Sequence, residues 1–96
     1  MTKNFASVHN YHEDAVYQRV TELAPLFATL ADAPDLLADV ACVALNALPP
    51  RYIRHAVDMM FYMTEAERAK ISETVETAVH AAFVFVQSRS ASEARA

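Results

Sequence analysis

The sequence predicts an all-α protein, a single domain of three to four helices, and three observations support this. Nineteen of its 96 residues are alanine, the residue with the highest intrinsic helix propensity. The chain has no glycine, which tight β-hairpins and glycine-rich phosphate-binding loops require. Apolar residues also recur at helical spacing in three segments.

One domain accounts for nearly the whole chain. Residues 8–87 form the predicted helical domain, with a flexible N-terminus at residues 1–7 and a disordered C-terminal tail at residues 88–96, because both ends are polar and aperiodic. About 80 residues are close to the smallest core that folds alone, and domains of this size often gain stability by oligomerising. We therefore expect a homodimer.

The first helix is predicted to start at Asn10, whose side chain can cap free amide groups while Glu13 reaches back to it. Pro25 interrupts the helical pattern and predicts a kink or a break. The apolar seam of this helix follows a 4-3-4-3 spacing through Val16, Val20, Leu23, Phe27 and Leu30.

A linker over residues 31–34 leads to the second helix, which is apolar over most of its circumference. We expect its polar residues to face partners or water, because burying them unpaired would be costly. These residues form one stripe: Asp35, Asp39, Cys42 and Asn46. Cys42 is the single cysteine, which excludes an internal disulfide, and its apolar surroundings predict a buried structural thiol.

Pro49 and Pro50 end the second helix. Residues 51–63 lack a clean period, so an extended or irregular connection is expected, with room for one short strand. Tyr52-Ile53 and Phe61-Tyr62 have strand-like character, and residues 59–63 also fit a short helical turn. Residues 64–67, Thr-Glu-Ala-Glu, form a capping box that opens the last helix.

The composition excludes several classes of function. The net charge of −4 disfavours a nucleic-acid polymer as partner. No apolar run is long enough to span a membrane, and the N-terminus does not resemble a secretory signal, so we expect a cytoplasmic protein without a membrane partner. His9 and His12 do not stand in a metal-binding frame, and no nucleophile is placed beside a base. No metal, cofactor or enzymatic activity is predicted.

Four side chains that suit a nucleotide follow the two prolines: Arg51, Tyr52, Arg54 and His55. On a rigid turn, two guanidinium groups can bind phosphates while the ring and the imidazole stack or donate. The alternative is structural, with Tyr52 anchoring the loop in the core and the arginines solvated or paired with Asp39 or Asp58. The residues alone favour the structural interpretation.

Two segments resemble a known family. The order Asp39-Val40-Ala41, then Ala44-Leu45-Asn46-x-Leu48-Pro49-Pro50-Arg51-Tyr52, resembles the signature of the late competence development ComFB family. The earlier Asn10-Tyr11-His12-Glu13-Asp14-x-Val16 is similar to the opening helix of that family. The resemblance covers residues 8–87 and implies a small, helical, dimeric regulatory protein of bacterial competence without an established enzymatic role.

Several relatives in this family act as receptors for cyclic dinucleotides, cyclic di-GMP among them. Metal-binding relatives carry a Cys-x-x-Cys-like cluster just ahead of the aspartate that matches Asp39. This chain has Ala33 and Leu36 there, so the resemblance does not extend to a zinc site.

Two functional hypotheses follow from these residues. In the first, a homodimer binds a cyclic dinucleotide: Arg51 and Arg54 contact phosphates, and Tyr52 or His55 stacks or forms a hydrogen bond. The turn would then be held by Asp39, Asn46, Pro49 and Pro50. In the second hypothesis, Asp39, Asn46 and Arg51 form an internal network, and the dimer presents a surface to a protein partner without any small-molecule ligand.

Overall fold

Helices account for most of the computed structural model, which describes residues 5–95. Its elements, in chain order, are β1 (His9–Asn10), α1 (His12–Leu23), a 3-10 turn (Ala24–Leu26), α2 (Ala28–Ala31), α3 (Pro34–Ala47), β2 (Tyr52–Ile53), α4 (Ala56–Tyr62) and α5 (Glu65–Arg95). The predicted helical architecture is confirmed, with five helices within residues 5–95 in place of three to four. No helix in this described part is long and apolar enough to cross a membrane.

The hydrophobic core lies between α1, α3 and α5, which contact one another. The side chains at its centre are fully buried: Val16, Leu30, Val40, Val79 and Phe83. Phe83 stacks on Phe27 at 4.5 Å between ring centroids. Offset and stacked aromatic pairs of this kind add to the free energy gained from burial.

Pro25 breaks the first helix, as its position predicts. α1 ends at Leu23, and the chain continues through the 3-10 turn and Phe27 into α2. The seam nevertheless points to one side, because Val16, Val20, Leu23 and Leu30 are all buried. The predicted start at Asn10 is wrong by two residues: α1 begins at His12, and Asn10 belongs to β1.

A two-residue antiparallel pair joins the start of the chain to the segment after the prolines. Asn10 pairs with Tyr52, and His9 pairs with Ile53. The expected short strand within residues 51–63 is therefore confirmed at Tyr52–Ile53. Phe61 and Tyr62, which have strand-like character in the sequence, lie in α4 instead, within the region where a short helical turn is the alternative.

The C-terminal segment is helical, so the interpretation of residues 88–96 as a disordered tail is wrong for residues 88–95, and residue 96 lies outside the described residues. α5 continues to Arg95. Alanine, glutamate and arginine have high helix propensity, and Arg89 forms an ion pair with Glu93 one turn later at 3.3 Å. Of the predicted flexible N-terminus, residues 1–7, only residues 5–7 are described, and all three are exposed.

Cys42 is exposed, and its predicted burial is wrong. It lies on the polar stripe of α3, whose other members, Asp35, Asp39 and Asn46, are exposed as well. The expectation that this stripe faces water is therefore confirmed. Helical spacing places Cys42 with these polar residues, and this position outweighs the apolar character of its neighbours in the sequence.

Phe83→Ala should lower the free energy of unfolding by about 3–5 kcal/mol, because it removes a fully buried ring from the centre of the core. Phe85→Ala is the matched control on the same helix. Its ring is 52% exposed, so we expect a loss of about 1 kcal/mol or less. Urea denaturation measures both. Equal losses would contradict this position of the core.

Candidate functional site

The turn that follows α3, which contains Pro49, Pro50 and Arg51, is held by Asn10 and not by residues of α3. The side-chain oxygen Oδ1 of Asn10 accepts hydrogen bonds from the backbone N–H of Arg51 at 3.1 Å and of His12 at 3.3 Å. The backbone N–H of Tyr11 donates to the carbonyl of Arg51 at 2.7 Å. Asn10 itself is buried. One buried amide therefore joins the start of α1 to the turn.

Glu13 completes this arrangement by accepting a hydrogen bond from the backbone N–H of Asn10 at 3.0 Å. Glu13 thus reaches back to Asn10 as predicted, whereas Asn10 Oδ1 accepts from His12 and Arg51 and not from the N–H of Glu13, so only half of the capping box forms. Acidic residues in the first turn also suit the positive end of the helix dipole.

The two residues of α3 that were predicted to hold the turn, Asp39 and Asn46, do not hold it. Asp39 and Asn46 are exposed, and neither makes a side-chain hydrogen bond or ion pair within residues 5–95. Asp39 precedes the end of its helix by about 12 Å along the axis, at 1.5 Å per residue. It lines a groove with Leu36 and Phe85 instead.

A cleft of about 590 Å³ opens beside the turn, between the two prolines, α4 and the start of α5. We call it the turn cleft. Its lining residues are His12, Leu48, Pro49, Pro50, Arg51, Tyr62, Glu67, Lys70, Ile71 and Thr74. It combines two cations, a carboxylate, an imidazole and an aromatic ring with the rigid edge that the prolines provide.

α5 contributes four residues to the turn cleft, at positions 67, 70, 71 and 74. Their spacing of three, one and three residues places them on one face of the helix. The helix start is fixed by the predicted capping box: the N–H of Glu67 donates to Thr64 Oγ1 at 3.1 Å, and the N–H of Thr64 donates to Glu67 Oε2 at 3.2 Å. These bonds set the position of the helix face that carries Lys70.

The structure brings only part of the predicted cluster to this cleft. All four side chains are exposed, and Arg51 lines the cleft together with the prolines, whereas Tyr52, Arg54 and His55 do not. Consecutive side chains of an extended segment point to opposite sides, so Tyr52 faces away from Arg51. The 68% exposure of Tyr52 also contradicts the alternative in which this ring anchors the loop in the core.

Sequence reasoning did not assign six polar or aromatic residues to this site: Asn10, His12, Tyr62, Glu67, Lys70 and Thr74. Asn10 and His12 lie in the segment that resembles the opening helix of the family, so that resemblance was the available signal. Lys70 and Thr74 share a helix face with Glu67, but nothing in the sequence indicates that this face meets the turn.

His12 is the first residue of α1 and lines the turn cleft, and its side chain is buried. Burial lowers the pKa of His12, the nearby carbonyl of Pro49 raises it, and the positive charge of Arg51 lowers it further. The net direction is downward from 6.5, so the imidazole is neutral at pH 7. Two cations and one carboxylate then give the turn cleft a positive balance of charge.

A second cleft, of about 540 Å³, lies between α1 and α5, and His12 lines it too. Its charges are largely paired. Arg19 contacts Glu22 at 3.0 Å and Glu76 at 2.6 Å. The guanidinium of Arg19 and the amide of Gln18 both hold the pKa of Glu22 below its usual value. Because Asp14 and Arg68 also line this cleft, its three carboxylates outnumber its two guanidinium groups, and it lacks the positive balance of charge of the turn cleft.

Within residues 5–95, no group of three or more histidine, cysteine, aspartate or glutamate side chains is placed to hold a metal ion.

The sequence model for the family described as Late competence development protein ComFB matches residues 9–90, which is most of the chain. The matched range includes the turn, the whole turn cleft and α1 to α4. Comparison with curated proteins and with solved structures gives no match.

Asn10→Ala should lower the free energy of unfolding by about 1–3 kcal/mol, because the N–H of Arg51 loses its acceptor. Asn46→Ala is the matched control, since Asn46 is exposed on α3, and we expect a change within about 0.5 kcal/mol. Thermal or urea unfolding distinguishes the two variants. A larger loss in Asn46→Ala would mean that α3 holds the turn after all.

Proposed function

Because the chain belongs to the late competence development protein ComFB family, we propose that it is a regulatory protein that binds a cyclic dinucleotide in the turn cleft. The family places the chain among competence-related regulatory proteins. The proposal adds the ligand and its position.

The observation that carries this proposal is the pair of cations at the turn cleft. Arg51 and Lys70 line it from opposite elements, the turn and α5. A cyclic dinucleotide has two phosphates, and arginine and lysine are the side chains that bind phosphate oxygens most strongly. These cations stand out in a chain of net charge −4.

Size and shape agree with such a ligand. Small-molecule sites occupy about 300–1,000 Å³, and the turn cleft measures about 590 Å³. The ring of Tyr62 is 77% exposed beside it and offers a surface on which a base can stack. Pro49 and Pro50 keep the opposite edge rigid, which reduces the entropy lost on binding.

The proposed role is binding and not catalysis. Glu67, the carboxylate that lines the turn cleft, already accepts a hydrogen bond from the backbone of Thr64. This hydrogen bond gives the carboxylate a structural role at the start of α5, which accounts for its position at the cleft.

Binding should be measurable by calorimetry with cyclic di-GMP and cyclic di-AMP. An Arg51→Ala/Lys70→Ala double variant should bind at least tenfold more weakly, because each lost phosphate contact removes a charge-assisted hydrogen bond. Arg54→Ala is the matched control, since Arg54 is an exposed arginine of the same segment outside the turn cleft.

Two results would contradict the proposal. One is the absence of heat with both nucleotides under conditions in which the protein is folded. The other is equal binding by the wild-type chain and the double variant.

A second proposed function is a homodimer that acts through a protein partner, and a specific surface favours it. Four neighbouring apolar residues of α4, which we call the α4 surface, are more than half exposed: Val57, Met60, Phe61 and Tyr62. On the opposite side of this helix, Met59 and Met63 are buried and attach it to the body. Monomeric proteins rarely expose large contiguous apolar patches.

The total exposed area supports an interface on this chain, and we propose a second copy as its occupant. The chain exposes 7042 Å², whereas a compact monomer of this size exposes about 5,500 Å². The radius of gyration is 15.6 Å, against about 12.5 Å for a compact domain of this length. The excess of about 1,500 Å² exceeds the roughly 800 Å² that each partner buries in a standard interface.

Phe61→Lys should convert the dimer to a monomer, because it places a charge at the most exposed residue of the α4 surface. Leu26→Lys is the matched control, as Leu26 is 75% exposed on the 3-10 turn. Light scattering coupled to size-exclusion chromatography gives the mass of each variant. A monomeric wild-type chain, or a dimeric Phe61→Lys variant, would contradict the homodimer or its interface.

A further inference from the structure

Glu67 is the carboxylate of the turn cleft, and the ligand contacts proposed for Arg51, Lys70 and Tyr62 do not involve it. Its side chain is exposed, so a ligand that occupies the cleft can reach it. Its negative charge repels a phosphate group, and an ionised carboxylate only accepts hydrogen bonds. The part of a nucleotide that suits this position is therefore a group that donates hydrogen bonds.

The capping box holds this carboxylate in place and leaves it able to accept further hydrogen bonds. Oε2 of Glu67 accepts from the N–H of Thr64 at 3.2 Å, and the N–H of Glu67 donates to Thr64 Oγ1 at 3.1 Å. Within residues 5–95, no hydrogen bond reaches Oε1, and no ion pair neutralises the carboxylate. Its two oxygens have about four acceptor positions, so one bond to the backbone leaves most of them open.

The hydrogen-bonding edges of the two purine bases differ in how they meet a carboxylate. Guanine presents two adjacent donors, its N1–H and its 2-amino group, which match the two oxygens of a carboxylate. Adenine presents one donor, its 6-amino group, beside the lone pair of N1, and this lone pair repels an acceptor. A site that provides only acceptors therefore discriminates against adenine.

We propose that Glu67 is a specificity-determining residue of the turn cleft, whose carboxylate accepts hydrogen bonds from the N1–H and the amino group of guanine and so selects guanine over adenine in the bound cyclic dinucleotide. This inference rests on the proposed function. Tyr62 offers its ring to the face of the base, and Glu67 binds the edge. Lys70 follows one helical turn later on the same face of α5, which places a phosphate-binding cation beside the base-binding carboxylate.

Calorimetry with cyclic di-GMP and cyclic di-AMP on the full-length chain tests this assignment. Wild type should bind cyclic di-GMP at least about tenfold more tightly, as expected for a two-bond contact to a base edge. Glu67→Gln should lower this preference at least about tenfold, because the glutamine amide can accept from the adenine amino group and donate to adenine N1. Glutamine also serves in a capping box, so the start of α5 is preserved.

Glu65→Gln separates base recognition from a general effect of charge. Glu65 is an exposed glutamate of the same helical turn and lies outside the turn cleft. Both variants remove one negative charge near the phosphate-binding cations, which changes the affinity for the two nucleotides alike. The preference should therefore stay at the wild-type value in Glu65→Gln. An equal fall of the preference in both variants would overturn the role of Glu67.

The inosine analogue of cyclic di-GMP, which lacks the 2-amino group and retains N1–H, tests the second hydrogen bond. Wild type should bind this analogue several-fold more weakly than cyclic di-GMP, and Glu67→Gln should reduce the difference. Equal binding of the two ligands by wild type would overturn the two-donor contact.

The ratio of the two affinities also distinguishes recognition from a structural role. A role confined to the start of α5 would weaken binding of both nucleotides by the same factor in Glu67→Gln, together with a lower melting temperature. That result would overturn the inference, as would an unchanged ratio.

The outcomes separate this inference from the function on which it rests. Equal binding of both nucleotides by wild type, weakened in the Arg51→Ala/Lys70→Ala variant, would overturn the role of Glu67 and leave the proposed function in place. Binding of neither nucleotide by the folded wild-type chain overturns both proposals.

Discussion

The structure depends on one hydrogen-bonded side chain, the amide of Asn10. Its oxygen accepts from the N–H groups of His12 and Arg51, two residues that are far apart in the chain but adjacent in the fold. This contact orients α1 against the turn that follows Pro50. The turn cleft has His12 on one side of this contact and Arg51 on the other. The same amide therefore fixes both the fold near the chain start and the distance across the candidate site.

The parts of the fold that the sequence predicts are those determined locally. The capping box at Thr64 and Glu67 forms as expected because both partners lie within one turn. The break at Pro25 and the buried seam of α1 follow from proline geometry and helical periodicity. The strand-like residues Tyr52 and Ile53 indicate β2, but its pairing with β1 and the bond from Arg51 to Asn10 join distant segments of the chain, so pattern reasoning could not find these two contacts.

The candidate site was predicted in part, for a related reason. The prolines and Arg51 were identified from the sequence, and they line the turn cleft. Adjacency in the sequence suggested that Tyr52, Arg54 and His55 act with Arg51, yet none of the three lines the turn cleft. Extended backbone directs Tyr52 to the opposite side, and α4 begins directly after His55. The remaining contributors come from α5, where Lys70 and Thr74 resemble ordinary solvent-exposed residues until the helix is placed against the turn. Only tertiary packing distinguishes them from the other polar positions of that helix.

Tyr62 connects the two proposed functions physically. It lines the turn cleft and also belongs to the α4 surface. α4 is seven residues long, and Met59 and Met63 supply its buried contacts, so little apolar area attaches it to the body. A ligand that stacks on Tyr62 would restrict α4, and a second copy packed on the α4 surface would restrict the same helix. Since both events order one element, each should reduce the entropy cost of the other, which makes ligand binding and association cooperative without a new contact between the two sites.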